Sequence, residues 1–268
     1  MSEFEKLRIV TGYEFLKHIR RRRLYIVLAL TLATELAVLI GLPALMDGYP
    51  DSIMVMAAML TIGPSMATIG AVFFAGDSIA GEFESKTGYI LFTNPVRRIT
   101  LVTGKYLACY AAVILLIIFG YIILSISLLG IYGEVPVETA KSFGLCLLFA
   151  GSVLSLTFFF SSVSKGAMGA TVMTLLFMMV ISPVIDGVLV MAGKPHWFLL
   201  STNGDSIATV YGGYELFLGL VGGLPEGMGI PPGILKAPDT NLMIISMVIY
   251  LVVGFLVSIL IIRRRQLT

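Results

Sequence analysis

Six predominantly apolar runs, at 24–46, 53–75, 106–131, 142–163, 167–190 and 242–262, take up most of this 268-residue chain. Each matches the roughly 20 residues that a helix needs to cross the hydrocarbon core of a bilayer. Charged residues make up only 13% of the chain, against about 25% in a soluble domain. The mean hydropathy is +0.97. These features predict an all-α polytopic membrane protein, a single domain over 1–268 with six transmembrane helices. Pro64 and Pro183 fall inside the second and fifth runs. Membrane helices tolerate proline where neighbours satisfy the freed carbonyl.

Lysine and arginine set the orientation. With both termini in the cytoplasm, all but Lys141, Lys194 and Lys236 of the 18 basic residues lie on the cytosolic side. That is a strong positive-inside bias, which an even number of spans permits at both ends. The reading is therefore a multi-pass protein of the cell membrane, its basic clusters facing membrane lipids and not nucleic acid. The apolar run after Arg20, Arg21, Arg22 and Arg23 is too long for a signal-peptide core. Before it, Phe4, Leu7, Val10, Tyr13 and Leu16 recur at helical spacing among charges. Segment 1–23 is thus expected to be an amphipathic helix in the cytosolic interface.

Few residues suit chemistry. Cys109 and Cys146 lie inside spans, and His18 and His196 fall on opposite sides of the membrane, so no metal site is expected. GxSxG and HExxH are absent, and neither Gly104-Lys105 nor Gly193-Lys194 has the rest of a nucleotide-binding P-loop. The chain is not expected to be an enzyme by itself, and any energy for work must come from elsewhere. Glu35 lies at the middle of the first span and Asp186 near the outer end of the fifth. Intramembrane carboxylates are the usual marks of a pathway, although for Glu35 a single satisfied polar residue in the bundle core is the plainer reading.

Segment 76–105 is the polar exception between two spans. Gly76 is suited to end the second span, and Asp77 or Ser78 to cap a new helix. Ile79, Phe83, Thr87, Ile90 and Leu91 recur at helical spacing, Asn94-Pro95 supplies a stop, and Thr100 can cap the third span. Gly81 and Gly88 weaken this short helix, so it needs packing to persist. The second polar stretch, 191–241, is rich in glycine, proline and aromatics. It is expected to be external and partly re-entrant, since irregular backbone can enter the membrane where protein buries it.

The run Gly81-Glu82-Phe83-Glu84-Ser85-Lys86-Thr87, followed by Ile90-Leu91, Pro95-Val96-Arg97-Arg98 and Gly104-Lys105, resembles the first cytosolic loop of ABC type-2 exporter permeases. Within that family it looks like the branch containing the nitrous-oxide-reductase maturation permease. Lys86 departs from the pattern, which has glycine before the threonine. The resemblance implies that 76–105 carries a coupling helix for a separate ABC ATP-binding subunit, present in two copies. ATP and Mg would sit on that partner, with no cofactor on this chain. It implies that Glu82, Phe83, Glu84 and Thr87 face or brace the ATPase, and that Pro95, Arg97, Arg98 and Lys105 anchor the loop at the lipid surface. A second permease copy or a paralogue would complete the pathway. Small residues on the second span (Gly63, Ser65, Gly70) and the fifth (Gly166, Gly169, Ala170) suggest those two as interface helices. The alternative is a non-transporting membrane anchor or assembly protein.

Overall fold

A computed structural model describes residues 2–46, 48–84, 97–212 and 239–264. Lys86, Thr87, Ile90, Leu91, Pro95 and the apolar run 216–224 lie outside them. The described chain is helical, and six of its helical stretches are long and apolar enough to cross a membrane.

Helix α1 (Glu3–Arg20) opens on a reciprocal cap. The Glu5 amide donates to Ser2 Oγ at 3.2 Å and the Ser2 amide to Glu5 Oε2 at 2.8 Å, satisfying two otherwise free donors. An extended Arg21 breaks the chain before α2 (Arg22–Met46), the first span. The second span is split into α3 (Ile53–Leu60) and α4 (Gly63–Ala75). Pro64, at the start of α4, has no amide to continue the ladder from α3, so the break falls just before it. A turn over 76–79 leads to α5 (Ala80–Glu84).

The third span, α6 (Arg98–Tyr132), has 35 residues. At 1.5 Å per residue that is about 50 Å, well beyond a hydrocarbon core of about 30 Å. Its first two turns therefore project from the membrane-spanning part. It ends on Gly133, whose φ of 78° is left-handed. The fourth span is α7 (Glu138–Val163). The fifth comprises α8 (Ala167–Leu176), a π turn over Phe177–Ile181 and α9 (Ser182–Met191). The π turn ends two residues before Pro183, where a regular ladder cannot be completed. A short α10 (Leu200–Asp205), a 3-10 turn (Ser206–Tyr211) and the sixth span, α11 (Thr240–Arg264), follow.

Helices α6 and α7 form the centre. Val113, Leu116 and Ile117 of α6 and Phe149, Val153 and Leu154 of α7 are fully or almost fully buried, with Ala67, Ala71 and Phe74 of α4 against them. A second cluster joins Met56, Ala57 and Leu60 of α3 to Leu124 and Leu128 of α6. Tyr211 fills it, so the chain beyond α9 folds back onto the bundle. The glycines of the second span serve this packing. A Cβ on Gly63 would stand 2.9 Å from Tyr121 and Cys146, and one on Gly70 would stand 2.8 Å from Leu116. That corrects the expectation for Gly63 and Gly70, whose surface is occupied by α6 and α7, while Ser65 is exposed. On the fifth span Ala170 is also buried, but Val180, Val184 and Val188 remain exposed.

Candidate functional site

The residues of segment 76–105 that are described converge with α1 and the start of the fifth span at the basic end of the bundle. Lys105 is the pivot. It lies on the projecting part of α6, where Gly104 lets α1 cross closely: a Cβ there would stand 2.6 Å from Val10 Cγ1. Lys105 Nζ donates to Glu14 Oε1 of α1 at 2.7 Å and to Glu82 Oε1 of α5 at 2.9 Å. The lysine is only 6% exposed. This differs from the expectation that Lys105 anchors the loop at the lipid surface. Because α6 begins before Lys105 and α1 lies across it, position 105 sits beneath a helix. The cation between two carboxylates is held at short range where solvent screening is weak, and Lys17 Nζ adds a second cation 3.4 Å from Glu14 Oε2. Burial pushes the Glu14 carboxyl up, but Lys105 and then Lys17 outweigh it and hold Glu14 below the ordinary glutamate range.

Asp77 accepts from Arg21 Nη1 at 3.2 Å and Arg23 Nη1 at 2.9 Å, tying the turn after α4 to the α1–α2 junction. The Ser78 hydroxyl donates back to Phe74 O at 3.1 Å. A cap on the start of α5 comes from α7. Ser161 Oγ donates to Gly76 O at 2.9 Å and accepts from the amides of Ile79 at 3.3 Å and Ala80 at 3.1 Å. Nothing in the local sequence signals this, because Ser161 lies over eighty residues away. Thr100 likewise lies inside α6, whose cap residue is Arg97. Its hydroxyl donates to Glu3 Oε2 at 3.1 Å, a further tie to α1. Glu84 accepts from the Ala167 amide at 2.8 Å, at the first residue of α8. Arg97 is exposed and Arg98 half-buried.

The two span carboxylates are not brought together. Glu35, 1% exposed, faces Gly120 of α6, and its Oε2 has no hydrogen-bond partner. Asp186 accepts from Thr202 Oγ1 at 2.8 Å, which fastens α10 to the fifth span at the opposite end.

Among the described residues, the site is a junction in which a short helix, α5, is tied to α1 and α6 through Lys105, to α7 through Ser161 and to α8 through Glu84. The family model described as ABC-2 family transporter protein matches residues 9–198 of the chain. The chain belongs to the ABC-2 transporter family. No curated protein matches it. The matched stretch contains every residue of the junction except Glu3. As an ABC-2 permease the protein is a multi-pass membrane subunit of an ABC transporter, a class that works with an ABC ATP-binding partner.

In the permease, His18 of α1 closes the inner side of the junction. Its ring packs on Phe74 at 5.4 Å, and Nε2 lies 3.4 Å from Cys109 Sγ. Burial, with Arg21 and Lys17 acting in the same sense against Glu14 and Asp77, lowers the imidazole from 6.5 to about 4. An imidazole neutral in the fold but free to protonate when unfolded contributes stability that is complete above pH ~6.5 and lost as pH falls towards 4. The lowered Glu14 works in the same direction at lower pH. Permease in detergent is therefore expected to lose about 2 kcal/mol between pH 7.5 and 5 through His18. Thermal unfolding of wild type and His18→Gln checks this: an equal pH slope in both removes His18 from the account.

Proposed function

We propose that this permease exports a substrate across the cell membrane, driven by ATP and Mg bound to a separate ABC subunit that docks on 76–105. The observation that carries this reading is the pair of bonds from Lys105 to Glu14 and Glu82. A loop with no mechanical duty has no need of a nearly buried cation tying it to two other helices. Glu82 and Glu84 brace the segment from within, leaving Phe83 and Thr87 to meet the ATPase. Arg97 and Arg98 meet lipid headgroups, with Pro95 ending the docking helix. Two ATPase copies would act on two permeases, this chain with a second copy or a paralogue. Such a pair would meet along the exposed face of the fifth span, with Asp186 along its pathway, and Glu35, buried against α6, would serve the pathway only from inside the bundle. Both termini would be cytoplasmic. Helix α1 would lie in the inner interface, with exposed Phe4, Ile9, Tyr13 and Leu16 towards lipid. The segment beyond α9 would re-enter the outer leaflet.

The test is co-purification with an ABC ATP-binding subunit co-expressed with this chain. Phe83→Arg places a charge where an aromatic anchor would dock, and losing such a hot spot costs about 2 kcal/mol or more. The expected result is at least a roughly thirtyfold weaker complex with wild-type thermal stability. Unchanged co-purification and ATPase activity would favour the non-transporting anchor.

A further inference from the structure

The start of the fifth span lacks a cap of its own. Position 166 is glycine, with no side chain to accept from the first-turn amides, and the chain there is extended at φ −138° and ψ 153°. The missing acceptor comes from α5, 83 residues upstream, as Glu84 Oε2 at 2.8 Å from the Ala167 amide. An ordinary packing contact and a close approach flank this bond. A Cβ on Gly81 would stand 4.0 Å from Ala167 Cβ, and one on Gly76 would stand 2.5 Å from Thr171 Oγ1. The turn after α4, α5 and the first turn of α8 therefore form one seam. A carboxylate at a helix N-terminus is favoured by both the free amides and the helix dipole.

We propose that Glu84 is a positioning residue that couples the fifth span to α5, so that displacement of α5 is delivered to that span through the Glu84–Ala167 bond. This rests on the transporter reading above. It assigns Glu84 to a contact inside the permease. Lys105 holds α5 to α1 and α6, while Glu84 accepts from a backbone amide of the fifth span.

Two substitutions remove the same bond from opposite sides. Glu84→Ala removes the acceptor. Ala167→Pro removes the donor, at a first helical position where proline is tolerated and after a residue already in the extended geometry proline requires. In the permease alone, each is expected to speed hydrogen exchange over 168–172 about fivefold, the size of a lost helix cap. The double variant should be no faster than either single one, and Glu84→Gln, which keeps an acceptor oxygen, should restore most protection. Unchanged exchange in both single variants would overturn the proposal.

In the complex, a nitroxide on Val188→Cys reports the fifth span, since Val188 is exposed and Cys109 and Cys146 are buried. ATP with vanadate should change its signal in wild type and Glu84→Gln, while Glu84→Ala and Ala167→Pro lose the change yet still co-purify with the ATPase. A change that persists in both would refute coupling through this bond. Loss of ATPase binding in Glu84→Ala but not in Ala167→Pro would move Glu84 to the partner interface and refute it as well. If wild type neither binds the ATPase nor responds, the transporter reading itself fails, which the exchange data distinguish from absence of the bond.

Discussion

Replacing Lys105 by methionine is expected to destabilise the permease by about 3 kcal/mol, because it leaves Glu14 and Glu82 facing each other without their shared cation. The carboxylates are 19% and 16% exposed and the lysine side chain 7%, so the loss belongs near the lower end of that for a broken buried pair. For a chain of this length the thermal midpoint should fall by about 8 °C. Low ionic strength should not rescue it, since the defect is repulsion and desolvation and not lost surface attraction. Adding Glu14→Gln and Glu82→Gln to Lys105→Met removes the two carboxylate charges that lost this cation and should recover most of the midpoint. Thermal unfolding in one detergent at pH 7.5 decides the matter. A Lys105→Met midpoint within about 2 °C of wild type, on the same scale, would mean that the triad contributes no net stability.

Removing the Ser161 hydroxyl is the second large effect. In Ser161→Ala the amides of Ile79 and Ala80 and the Gly76 carbonyl lose a fully buried partner, at about 1–3 kcal/mol per stranded group. Relaxation of the turn recovers part of this, so about 3 kcal/mol is expected, concentrated at 76–82. Hydrogen exchange should show those amides losing about a hundredfold of protection, with the centre of α6 unchanged. Ser161→Thr keeps the hydroxyl and should behave more like wild type. If the Ile79 and Ala80 amides stay protected in Ser161→Ala, the turn is held by its own ladder and not by α7.

The spans were legible because their signal is local. An apolar run of membrane length identifies itself, and the observed spans differ from the expected ones mainly at their ends. The second and fifth break or distort at Pro64 and Pro183, where a missing amide has a local consequence. The third begins at Arg98, well before its apolar run, because the polar residues of its first two turns are stabilised by α1 and not by lipid. Glu82 and Lys105 were legible as members of one motif, but their bond was not, and the role expected of Lys105 at the lipid surface was different. Glu14 gave no sign of its part, since one acid on a basic amphipathic helix looks like any solvated charge until a lysine is found against it.

By itself, the sequence determined the helical class, the six spans, the family and the location of the polar segment that serves it. All of these follow from composition and short-range order. Only the tertiary structure decided what that segment is fastened to. Charge pairs and caps join residues with little regard for separation along the chain. Lys105 reaches Glu14 across 91 positions, Glu84 reaches Ala167 across 83 and Ser161 reaches Gly76 across 85. No local pattern encodes such partners, because they are selected by which helices the close approaches at Gly104 and Gly76 allow to meet.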